Sequence, residues 1–159
     1  MATQFKQAQL WMDIQNVSTL AGIPSDALFR KWARKALRVN AEITLRIVDE
    51  AEGRALNKEY RGKDYATNVL TFYYEQQPDQ GLFIGDIAIC HTVIMREAAA
   101  QKKAVWAHYA HMVVHGMLHL QGWEHESDAD HHAMMRLEAH ILKQLGFENP
   151  YHADDFERS

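Results

Sequence analysis

The chain has 159 residues, 47% of them apolar and 24% charged, with a formal net charge of -4. That length suits one domain with a real core, the composition excludes wholesale disorder, and the negative total argues against an indiscriminate polyanion binder. No stretch approaches the roughly 18 consecutive apolar residues of a membrane-spanning helix, and the opening MATQFKQAQLWMD lacks the basic start and long apolar run of a secretory signal.

One cysteine, Cys90, leaves no intramolecular disulfide, fits a reducing cytoplasm and reads as a small buried apolar residue. Charge is unevenly spread. Residues 28–63 carry ten Lys/Arg against five Asp/Glu, and residues 124–159 carry three against nine. No repeat, low-complexity run or linker interrupts the chain, so 1–159 is expected to be a single domain.

Alternation of Leu10, Met12 and Ile14 with polar neighbours predicts a first strand. Gly22-Ile23-Pro24-Ser25 is a turn ending in a helix cap. Leu28, Phe29, Trp32, Ala33, Ala36 and Leu37 follow at helical spacing, with Arg30, Arg34 and Arg38 as a stripe on the other face. Ile43, Leu45 and Ile47 alternate again. Strand, helix and strand predict a right-handed crossover and a parallel pair. A short helix over 51–61 is closed by Gly62. Val69 to Tyr74 and Leu82 to Cys90 are β-rich and form a hairpin around a 75–81 loop, the second strand being interrupted at Gly85-Asp86. Helices over about 92–102, 105–121 and 128–145 complete the chain, with Trp106, Met112 and Met117 expected in the core. The fold class is α+β: a mixed four-stranded sheet with about five helices and a metal site at the end of a helix in the C-terminal half.

Histidine is the anomaly, with seven of the ten lying between residues 108 and 132. Residues 115–125 read HGMLHLQGWEH. His115 and His119 stand four apart, so on a helix they differ by about 40° around the axis and can reach one ion. Gly122 stops the helix, and His125 can return from the loop as a third ligand. Three imidazoles leave an open fourth position, the pattern of a catalytic zinc site. His111 and His115 are a rival pair on the same helix, and His108, His131 and His132 are further candidates. The H-E-x-x-H proteases place a glutamate after the first histidine. Here that place is Gly116, which disfavours a peptidase.

On HGMLHLQGWEH at 115–125, LNKEYRGKDYATNVLTF at 56–72, GDIAIC at 85–90 and AHMVVHG at 110–116, the chain resembles the YbeY family of bacterial metal-dependent endoribonucleases, also described as ribosomal RNA maturation factors. The resemblance implies one Zn2+ ion held by His115, His119 and His125. It implies Arg61 as the family's important arginine, counted with His115 among the catalytic residues. It further implies single-strand-specific endoribonuclease activity, 3′-end processing of small-subunit ribosomal RNA, and partners in the small ribosomal subunit and its assembly factors, with a role in ribosome quality control. Two positions depart from the family pattern: Gly122-Trp123-Glu124-His125 replaces Gly-Tyr-Asp-His, and Thr71-Phe72-Tyr73 stands where Ser-Phe-Pro is commoner.

The residues agree with this chemistry. Phosphodiester cleavage builds negative charge that a Lewis-acid ion stabilises and a guanidinium grips in a bidentate fork. Arg54, Lys58 and Arg61 fall on one helix face and, with the arginine stripe, could form a track for a single strand, although a solvated face explains the stripe as well. Asp86 suits a turn and Glu138 a salt bridge or a solvated face, and either could instead support a ligating imidazole. Other readings are a metallopeptidase and a non-catalytic ribosome assembly factor.

Overall fold

The computed structural model describes residues 7–77, 81–122 and 127–151. β1 (Leu10–Asn16) and β2 (Asn40–Val48) run parallel, joined through α1 (Asp26–Ala36), as the pattern of strand, helix and strand requires. α2 (Glu50–Arg61) leads to β3 (Val69–Gln77) and β4 (Leu82–Cys90), which pair antiparallel. β4 also lies parallel to β2, so the sheet is mixed, in the order β1-β2-β4-β3. α3 (His91–Ala100), α4 (Val105–Leu120) and α5 (Asp128–Gln144) follow. The fold is α+β, as expected.

Local chemistry sets the boundaries. Ser25 caps α1 by accepting from the Leu28 amide at 3.3 Å, and Phe29, Trp32, Ala33 and Ala36 form its buried face. Gly62, at φ +70°, ends α2 in the left-handed conformation that glycine tolerates best. The Asp49 carboxylate accepts from Ser18 Oγ at 2.5 Å and from the Thr19 amide at 2.9 Å, tying the segment after β1 to the start of α2.

Three expectations change. β4 runs unbroken through Gly85-Asp86, because a Cβ on Gly85 would stand 2.7 Å from the Phe72 carbonyl oxygen and only glycine lets β3 come so close. The irregularity falls in β3 instead, as a register shift between Tyr73 and Gln76, and pairing resumes to carry that strand to Gln77. The arginine stripe does not survive as a stripe. α1 ends at Ala36, leaving Arg38 beyond the helix, and Arg30 Nη2 donates to the Met12 carbonyl at 3.2 Å.

α4 is the central helix, touching α1, α3, α5, β3 and β4. Met112 and Met117 are buried as expected, whereas Trp106, in its exposed first turn, is 40% accessible. Gly116 lies against the sheet, where a Cβ would meet two carbons of Ile87 at 3.3 Å and Thr71 Cγ2 at 3.6 Å. At the far end, the Gln121 side chain accepts from the Arg38 amide at 2.6 Å and donates to the Ala36 and Met117 carbonyls, each at 2.9 Å. That one amide fastens the end of α1 to the end of α4. Among the described residues no helix is long and apolar enough to cross a membrane.

Candidate active site

His115 and His119 face outward from a helix that is otherwise largely buried, and both line an open cleft of about 1050 Å³. Their rings are nearly parallel, 9° apart in plane with centroids 6.4 Å apart. The cleft wall opposite is built by α2, which contributes Arg61, and by β3 and β4. The fold therefore brings Arg61, His115 and His119 into one cavity, although some 50 residues of chain separate them.

Behind the histidines, α5 supplies Glu138, which has no exposed surface. Its Oε1 is 2.5 Å from His115 Nδ1, and its Oε2 is 3.1 Å from His111 Nε2 and accepts from the Tyr151 hydroxyl. Burial alone would push this carboxyl up. The hydrogen bonds to His111 and His115 outweigh it and hold the group down at about 2. An ionised carboxylate only accepts, so His115 Nδ1 donates to it and Nε2 is the ring nitrogen left for a metal. That is the arrangement of a metal-binding imidazole backed by a carboxylate. The sequence left Glu138 between a salt bridge and this supporting role, and its burial against two histidines favours support.

His111, the rival ligand, is buried and occupied at Nε2 by Glu138 and by Tyr151 at 3.0 Å, and it does not line the cleft. Burial pushes its basicity down, so it serves as a neutral donor. His108 likewise turns away, to Glu97 Oε1 at 2.8 Å. His125, the third expected ligand, lies outside the described residues, as do Trp123 and Glu124. Among the described residues no group of three His, Cys, Asp or Glu side chains is disposed to hold an ion. The two described histidines nonetheless fit a divalent metal in donor type and in the carboxylate behind His115.

The cations differ in availability. Arg46 lines the cleft but is committed to Glu52, at 2.5 and 2.8 Å, and to Gln15 at 2.9 Å. Arg54 pairs with Asp64 at 2.8 and 3.0 Å, which removes it from the expected cationic track. Arg61 is exposed, and its guanidinium has no hydrogen-bond or ion-pair partner among the described residues. Asp86 lies inside β4 rather than in a turn, and its carboxylate accepts from the Tyr74 hydroxyl. Sequence reasoning missed Tyr73, whose hydroxyl donates to the His119 carbonyl and ties β3 to the end of α4. The departure at Thr71-Phe72-Tyr73 was the available signal.

A family model, Endoribonuclease YbeY, matches residues 13–146. The Endoribonuclease YbeY of Methylobacillus flagellatus is 49% identical over 150 residues, covering 94% of this chain and 99% of its own. That of Chromobacterium violaceum is 52% identical over 151 residues, covering 92% and 89%. That of Aromatoleum aromaticum is 54% identical over 128 residues, covering 80% and 81%. A solution structure from Thermotoga maritima superposes with a TM-score of 0.55 at 20% identity, over 93% of this chain and 96% of that one, a likeness of fold.

Proposed function

The chain belongs to the endoribonuclease YbeY family, and from that premise we propose that it is a zinc-dependent, single-strand-specific endoribonuclease of the cytoplasm. In this reading residues 1–159 are one catalytic domain. One Zn2+ is held by His115, His119 and His125. The substrate is single-stranded RNA, at the 3′ end of the small-subunit ribosomal RNA. The partners are the small subunit and its assembly factors, and the activity serves ribosome assembly and quality control.

The observation that carries the reading is the meeting, in one cleft, of a carboxylate-backed His115, His119 and the guanidinium of Arg61, which has no partner among the described residues. Bound zinc supplies Lewis-acid stabilisation of the charge that develops on the phosphate. Arg61 grips two non-bridging phosphate oxygens in a fork. Glu138 keeps the His115 ring in one orientation and one tautomer. The Tyr73 bond to the His119 carbonyl holds the helix end that carries the second imidazole. Gly116 adds support, since the side chain of a glutamate in that place would enter the sheet at Ile87 rather than the cleft.

The test is to purify wild type, His119→Ala and Arg61→Ala identically, measure bound metal, and assay cleavage of single-stranded RNA. His119→Ala is expected to lose metal and cleavage together. Arg61→Ala is expected to keep its metal and lose at least about a hundredfold in rate, as for removal of one transition-state charge contact. Cleavage undiminished in His119→Ala would overturn the catalytic metal, and undiminished cleavage in Arg61→Ala would remove the phosphate grip.

A further inference from the structure

Three tyrosines crowd the rim of the cleft, and the phosphate chemistry above makes no direct use of their rings. Tyr60, Tyr73 and Tyr74 are 60%, 37% and 66% exposed and line the same cavity as Arg61 and His115. Single exposed aromatics are ordinary on a protein surface, but a cluster around a concave, charged groove marks a binding surface.

The three are not equivalent. Tyr73 is engaged locally, through its hydroxyl to the His119 carbonyl and its ring beside the His119 ring at 6.4 Å. Tyr60 is a supported platform, its ring packed 4.9 Å from that of Phe72 and tilted by 60°. Tyr74 is tethered at its tip, where the hydroxyl donates to Asp86 Oδ2, while most of its ring remains open. The bond to Asp86, the charge behind it and partial burial push the Tyr74 phenol up. Rings already fixed by a neighbour lose little freedom on binding, which favours them as docking platforms.

We propose that Tyr60 and Tyr74 form a base-stacking subsite, on which unpaired bases of single-stranded RNA lie while the backbone passes Arg61. The proposal rests on the reading of the substrate as RNA and adds how the single strand is recognised. Every base has a stackable face, so the contact tolerates any sequence. In a duplex those faces are covered by neighbouring pairs, so the subsite selects against paired RNA. The phosphates are met by Arg61, which, of the two arginines among the described lining residues, is the one not committed to a described carboxylate.

The experiment uses the full-length holoprotein and two labelled probes, a twelve-nucleotide oligoadenylate and an abasic strand with the same number of phosphates. Binding is read by fluorescence anisotropy in the first seconds after mixing, before cleavage accumulates. Wild type should bind the oligoadenylate more tightly. Tyr60→Ala and Tyr74→Ala should each weaken oligoadenylate binding about tenfold, within the range for one stacked base, and leave the abasic strand within twofold. Tyr60→Phe keeps a supported ring and should bind like wild type, and Tyr74→Phe, which keeps the ring but loses its tether, should weaken binding by no more than about threefold. Arg61→Ala should weaken both probes alike. Alanine variants that hold oligoadenylate like wild type would overturn the subsite, as would equal losses on both probes. A Tyr74→Phe loss as large as that of Tyr74→Ala would assign the contact to the phenol oxygen and overturn stacking at that position. Wild type that binds neither probe would bring down the RNA reading itself, so the two failures are told apart.

Discussion

A carboxylate taken out of water costs several kcal/mol unless donors replace its hydration. Glu138 gathers three, from His111, His115 and Tyr151. Glutamine in its place can both donate and accept, so His115 would no longer be confined to one tautomer. Glu138→Gln should therefore keep the fold but weaken zinc binding by roughly ten- to a hundredfold, the usual cost of losing such a partner, measured by competition with a chelating dye. Unchanged affinity would end the positioning role. Spacing of four is a local signal, legible in the sequence, but it marked His115 with His111 as well as with His119, and the family resemblance chose between the pairs. Glu138 gave no such signal, because it lies 23 residues from His115 on another helix and only packing brings the two together. Arg61 falls between these cases: its helix was readable, its cavity was not.

At the scale of elements, periodicity, β-rich composition and turn residues anticipated each helix and strand among the described residues, and failed where one element's ends depend on another. The Gly85-Asp86 pair looked like a break because glycine usually weakens a strand, yet it is what lets β3 and β4 close up. Gly116 shows the same dependence between α4 and the sheet. Its sequence reading concerned a missing general base, whereas in the structure its bare Cα lets the helix approach Ile87. Gly116→Glu should thus produce no peptidase. It should destabilise the protein by about 3 kcal/mol or more, through overpacking and a buried charge without donors, seen as a lower urea midpoint. A variant with a wild-type midpoint would contradict the close packing of α4 on β4.

For the whole molecule, acid should be destabilising well above the carboxylate range. Burial holds His108 below its ordinary value of 6.5, against the opposing pull of Glu97. The unfolded chain then takes up its proton first as pH falls, so stability is full above about 6.5 and declines below it. His108→Gln should lose less stability than wild type between pH 7.5 and 5.5 in urea titrations, and an equal loss would discount His108 as a source. The mixed sheet and its parallel crossover were predictable from chain order and handedness, whereas the seating of β4 between β2 and β3 was settled by long-range pairing. The Gln121 fastening between α1 and α4 has a consequence in time as well as in space. The Arg38 amide belongs to no helix or strand, yet it can exchange its hydrogen with solvent only when Gln121 lets go. Because Gln121 caps the helix two residues beyond His119, that exchange clocks the opening of the helix end that would carry the metal. Zinc loading should slow it, and Gln121→Ala should quicken it whether or not zinc is bound.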